Sequence, residues 1–246
     1  MDIVTERVRI ALASGGEMGG YLARPEDGGP HPAVLVFMEI FGINAHIRDV
    51  TERVAREGYV ALAPDYFHRT GPGAEYGYDE KGMAAGMKLL AALRADEMIA
   101  DAKAAIAFLG GRRDVRAGRI GAMGFCIGGH MAYLVACETD VRATASFYGG
   151  GIAGPKGPGG AVPTVDRTSK IGGTILLLFG GQDAMIPASQ IDAIRSALAK
   201  SGVRHHIEVY PQAGHGFFCN QRPSYDAAAA GDAWRRVKEL FANELG

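Results

Sequence analysis

Short unbroken apolar runs alternate with longer stretches of helical periodicity along most of the chain. Apolar positions alternate or cluster over residues 3–12 and 19–23, around Ser14-Gly15-Gly16, and predict a pair of strands. A turn-rich break follows at 25–32. Ala33-Val34-Leu35-Val36-Phe37 is then continuous in apolar residues, as in a strand buried on both faces. Further strands are expected over 59–63, 119–123, 143–148, 174–179 and 205–210. Helices are expected over 47–57, 83–93, 96–109, 128–136, 188–200 and 227–245. Such alternation implies parallel strands joined by crossover helices, hence an α/β fold with one mostly parallel sheet covered on both faces. Neither an internal repeat nor a linker interrupts it, so residues 1–246 are expected to form a single domain. The Gly/Pro-rich stretch 149–160 is expected to be a surface loop near the strand ends.

Composition narrows the function classes. A chain of 246 residues, 48% hydrophobic and 22% charged, suits one ordered α/β domain. A net charge of −1 without a basic run argues against nucleic acid as a partner. No apolar stretch approaches the roughly 20 residues that span a bilayer, and the start lacks a basic-then-apolar leader, so membrane and secretory roles are not expected. Cys126, Cys137 and Cys219 are too few and too widely spaced for a disulfide framework or a C-x-x-C site. Reduced thiols in a cytoplasmic protein without metal or cofactor are the expectation.

One cysteine has informative neighbours. Gly124-Phe125-Cys126-Ile127-Gly128 lies where a strand gives way to a helix and matches G-x-S-x-G with Cys for Ser. Glycine is needed on either side because the turn is too tight for side chains there. The turn also leaves the sulfur at a helix N-terminus, where free N–H groups favour negative charge. A plain strand-to-helix turn, or a small buried thiol, would give the same residues.

Downstream residues tilt the balance. Hydrolases that carry their nucleophile on a G-x-S-x-G elbow order the triad as nucleophile, acid, histidine. Asp183 follows the apolar run 175–179, at the strand end where open α/β sheets hold their sites; alone, it reads equally as a turn residue. His215 lies between two glycines in a loop after the strand 205–210, a setting that no other histidine of the chain shares. The shared position at strand ends makes Cys126, Asp183 and His215 a candidate triad.

These segments resemble the dienelactone hydrolase (carboxymethylenebutenolidase) family. Gly124 to Gly129 is similar to its cysteine elbow, and Gly-Gln-Asp183 and Ala-Gly-His215-Gly-Phe to its acid and histidine segments. Met38-Glu39-Ile40-Phe41-Gly42-Ile43-Asn44 is similar to its glutamate loop, and the likeness runs from about Arg24 to Leu240. The resemblance implies an α/β-hydrolase that cleaves an ester or lactone without a cofactor. Cys126 would form a thioester, His215 would move protons, and Asp183 would orient His215. Backbone N–H groups of Ile127 and Ile40 would stabilise the oxyanion, and Glu39 would control ionisation of the thiol. One position departs from the pattern: four residues past the histidine, where lactone-cleaving members hold a substrate carboxylate with arginine, this chain has Cys219. Arg222 is the nearest arginine, and the lid-like stretch 69–81 offers Tyr76, Tyr78 and Lys81 as substrate contacts. The competing function is a non-catalytic binding protein that retains the fold.

Overall fold

The computed structural model describes residues Met1–Gly246. All eight strands join one sheet in the order β1-β2-β4-β3-β5-β6-β7-β8. β1 (Ile3–Ala11), β2 (Glu17–Pro25) and β4 (Val60–Pro64) pair antiparallel. The remaining neighbours, β3 (His31–Phe37), β5 (Val115–Phe125), β6 (Ala143–Phe147), β7 (Thr174–Gly180) and β8 (His205–Tyr210), run parallel, as does the β3–β4 pair. β3, β4, β6 and β7 are buried almost throughout, which is why they read as unbroken apolar runs.

Helices cover the two faces in two groups. α3 (Ala95–Gly110) and α4 (Ile127–Glu138) pack together against the central strands. α1 (Ala45–Arg56) and α6 (Ala227–Leu245) meet on the other side, where Arg53 lies 4.5 Å from the centre of the Trp234 ring. α2 (Glu80–Ala92) and α5 (Ala188–Lys200) complete the set. α1 begins two residues before its expected start because the Asn44 side chain caps it, accepting from Ile47 N at 3.2 Å.

Parallel pairing brings the C-terminal strand ends side by side. Phe37 pairs with Gly124, Phe125 with Phe147, and Gly180 with Tyr210. The loops that leave β3, β5, β6, β7 and β8 therefore converge on one edge. The stretch after β6 is more ordered than expected, with 3-10 turns at Pro158–Gly160 and Thr164–Lys170. His130 of α4 ties it down: Nδ1 meets the Gly150 carbonyl at 2.8 Å and Nε2 meets Thr164 Oγ1 at 2.7 Å.

Candidate active site

β5 ends at Phe125, α4 starts at Ile127, and Cys126 between them sits at φ 56°, a left-handed backbone conformation that a side chain rarely adopts. Its N–H donates to the Phe147 carbonyl at 3.0 Å, which pins the turn to β6. Close approach explains the flanking glycines. A Cβ on Gly124 would meet the Gly128 carbonyl oxygen at 2.1 Å, and one on Gly128 would meet the Phe37 carbonyl oxygen at 2.3 Å. Cys126 alone of the three cysteines is partly exposed.

The histidine and its acid meet from two neighbouring loops. His215 Nδ1 donates to Asp183 Oδ2 at 2.7 Å, and Met185 N donates to Asp183 Oδ1 at 2.9 Å. The loops are tied to each other where Gln182 N donates to the Ala213 carbonyl at 2.9 Å. His215 Nε2 is buried and takes no hydrogen bond. Burial alone would lower the His215 pKa, but the Asp183 hydrogen bond and the adjoining Cys126 thiol raise it to about 10.

Glu39 has no exposed surface. Tyr78 donates its hydroxyl to Oε2 at 2.9 Å, and Arg222 Nη1 donates to Oε1 at 3.0 Å. Burial raises the carboxyl pKa, against the opposing pull of Arg222 and Tyr78. The Arg222 guanidinium in turn faces the rings of Tyr78 and Phe41, 5.5 and 5.9 Å from their centres. Tyr76 N donates to the Phe41 carbonyl at 2.9 Å, so the 65–79 segment is strapped over the glutamate loop. α2 presses on that loop as well, since Gly86 lies against the Ile40 carbonyl, where a Cβ would come within 2.5 Å.

The dienelactone hydrolase family profile matches residues 18–245. The chain belongs to the dienelactone hydrolase family. A Synechocystis sp. relative, provisionally named a carboxymethylenebutenolidase, is 49% identical over 229 residues, covering 93% of each chain. An Escherichia coli K12 relative with the same provisional name is 36% identical, covering 93% of this chain and 83% of its own. A crystal structure provisionally assigned as a dienelactone hydrolase of Klebsiella pneumoniae superposes with a TM-score of 0.89 at 32% identity, covering 98% of this chain and 99% of that one. The α/β-hydrolase fold and the enzyme class, carboxylic ester hydrolase acting on esters or lactones, follow from that membership.

In this dienelactone hydrolase family member the structure gathers most of the sequence-predicted residues but not all. Cys126, Asp183, His215, Glu39, Tyr78, Ile40 and Ile127 cluster at the strand ends, with Tyr76 in the strap beside them. Arg222, expected to be a candidate clamp for a substrate carboxylate, is instead ion-paired with Glu39. Lys81 is exposed on the first turn of α2, and none of the salt bridges or hydrogen bonds of the site involves it. No helix is long and apolar enough to cross a membrane. A surface cavity of about 820 Å3 lies between α3 and the end of α4, and one of about 590 Å3 beside Arg7, Asp65 and Glu75; neither reaches Cys126. Chemistry, not depth, marks this site.

Tyr148 and His46 escaped sequence reasoning. Tyr148 has φ 37°, packs edge-on at 5.1 Å from the His215 ring, and buries a hydroxyl with no partner. Its place at the end of an apolar strand, among other site-bearing strand ends, was the available signal. His46 is buried in the first turn of α1, beside Glu39 and Cys219. Only its closeness in sequence to the glutamate loop hinted at that.

Proposed function

We propose that the protein hydrolyses activated esters or lactones through a thioester on Cys126. The observation that carries this reading is the Asp183–His215 pair at 2.7 Å, with a buried and unpartnered Nε2, beside the strained Cys126. An imidazolium held by Asp183 favours a thiolate beside it, and only the thiolate is a good nucleophile. The sulfur adds to the carbonyl carbon, and the negative oxygen is received by the N–H groups of Ile127 and Ile40. Collapse expels the alcohol oxygen, which takes the proton from His215.

The thioester sulfur carries no charge, so His215 loses one of the two groups that raise its pKa. It can then take a proton from water as that water attacks the thioester. The second collapse returns the Cys126 thiolate and the imidazolium and releases the acid. Glu39, buried and paired, would set when the thiol ionises, through its exchange of partners with Arg222 and Tyr78. Tyr76 and Tyr78 are the substrate contacts favoured by the strap. Because Arg222 is engaged by Glu39, neutral acyl groups suit the site better than carboxylate-bearing ones. Three unpaired thiols suit a reducing compartment, the cytoplasm.

Sulfur chemistry sets the leaving-group preference. A thiolate leaves more readily than an ordinary alkoxide, so the tetrahedral intermediate goes forward only when the oxygen departs as a stabilised enolate or phenolate, or is well protonated. Phenyl esters and enol lactones should therefore be cleaved with a kcat/KM at least ~100-fold above matched ethyl esters. Cys126→Ala should abolish the reaction, and Cys126→Ser should lose most of it. Equal rates on the two esters, or an active alanine variant, would remove the thioester mechanism; the latter result would also leave a non-catalytic role for Cys126.

A further inference from the structure

Beside the proposed triad lies a second group of side chains that the reaction does not use in full. One carboxylate oxygen of Glu39, a ring nitrogen of His46 and the sulfur of Cys219 all lie within 4.8 Å of one another, each residue buried. They come from three separate segments: the loop after β3, the first turn of α1 and the loop after His215. His46 is held in place by the edges of Phe125 and Phe218, with ring centres 5.7 and 6.3 Å away. Its Nε2 is buried without any hydrogen-bond partner, although the residue is only 2% exposed. Buried polar atoms are nearly always satisfied, so a bare ring nitrogen on an imidazole grouped with a thiol and a carboxylate calls for a partner.

We propose that Glu39, His46 and Cys219 form a binding site for a zinc-type divalent cation, and that filling it takes Glu39 away from Arg222. Carboxylate, imidazole and thiolate are the donors such an ion accepts, and three protein ligands leave a fourth position open. Bonds of roughly 2.0–2.3 Å to a tetrahedral ion require ligand atoms about 3–4 Å apart, so the cluster closes by about an ångström. Charge balances in the exchange. The ion brings two positive charges; the Cys219 thiol releases one proton to solvent, and the Arg222 guanidinium leaves with the other charge. Arg222 is the partner able to leave, since its side chain is 15% exposed while that of Glu39 is 0%. Arg222 N also donates to the Cys219 carbonyl at 3.1 Å, so the thiol ligand and the displaced arginine share one turn. The second half of the proposal, that the ion slows hydrolysis by capturing Glu39, rests on the role given to Glu39 above.

Cobalt(II) titrated into the Cys126→Ala protein tests the site without the proposed nucleophile. The expected result is one equivalent bound with a sulfur-to-cobalt charge-transfer absorption that zinc displaces. Cys219→Ser in that background should abolish the absorption, Cys137→Ser should leave it, and His46→Gln should weaken binding at least tenfold. A folded Cys126→Ala protein without the absorption, or an absorption that survives Cys219→Ser, overturns the site. Should Cys219→Ser fail to fold by circular dichroism, unchanged affinity in His46→Gln overturns it instead. On wild type, zinc should slow phenyl-ester hydrolysis and a chelator should restore it; inhibition equally strong in Cys219→Ser overturns the second half. Phenyl-ester hydrolysis persisting in Cys126→Ala would sink the thioester reading and leave the cobalt result untouched.

Discussion

Glu39 keeps a carboxylate without exposed surface because Arg222 and Tyr78 both donate to it. Its position directly behind Val34-Leu35-Val36-Phe37-Met38 marks it as out of place in the sequence. Its partner is not legible there, because Arg222 lies 183 residues away and only the converging loops bring them together. Removing the arginine leaves the carboxylate to be buried unpaired or protonated, so Arg222→Ala should cost about 3 kcal/mol in denaturant unfolding. Adding Glu39→Gln should recover part of that loss, and a double variant no better than the single one would remove the pair as its cause. At the triad, burial works against the His215 imidazolium and Asp183 works for it. Asp183→Asn should lower the alkaline limb of kcat/KM from near pH 10 toward neutral. It should also reduce kcat on the order of 10²–10⁴-fold. An alkaline limb that stays in place would show that His215 does not set it.

Elements are most legible where one physical signal dominates. β3, β4, β6 and β7 are covered on both faces and announce themselves as apolar runs, and the elbow announces itself through glycines that no other residue replaces. β5 extends back to Val115, four residues before its expected start, through Arg116, Ala117 and Gly118, three exposed residues that carry no apolar pattern. The 3-10 turn Thr164–Lys170 is similarly silent, because side-chain ties to α4 (His130 to Thr164, Tyr133 to Thr168) and not local periodicity hold it. At the elbow the constraint is steric: a methyl on Gly128 would lie 2.3 and 2.4 Å from the Phe37 and Met38 carbonyl oxygens, both backbone atoms that cannot rotate away. Gly128→Ala should therefore destabilise the fold by roughly 1–3 kcal/mol or more. It should also spread β3 from the elbow and displace Ile40, so activity should fall further than stability explains. A variant with wild-type melting temperature and rate would contradict the close packing of β3 on α4.

At the scale of the molecule, three histidines shape stability against pH, the buried His46 and His130 in one direction and the half-buried His215 in the other. Burial lowers the pKa of His46, helped by Arg53 and Arg222, to about 4, and burial lowers that of His130 to about 4 despite its bond to the Gly150 carbonyl. Their unfolded values lie near 6.5. Between these limits the unfolded chain binds more protons than the folded one. The stability these two groups contribute is therefore complete above pH 6.5 and is lost as pH falls toward 4, by up to about 3 kcal/mol for each. His215 behaves oppositely: its folded pKa is raised to about 10, so its contribution is complete below pH 6.5 and is lost as pH climbs to 10. The melting temperature should consequently peak near neutral pH and fall on both sides. His130→Gln keeps a side chain able to reach Gly150 or Thr164 but cannot take up the proton. It should flatten the acid limb by about half, leaving His46 to supply the rest, and should leave the alkaline limb unchanged. Melting temperatures of both proteins from pH 4 to 10 decide the matter. Acid limbs of equal slope would mean that His130 does not govern acid sensitivity, and that its two hydrogen bonds merely hold the loop after β6.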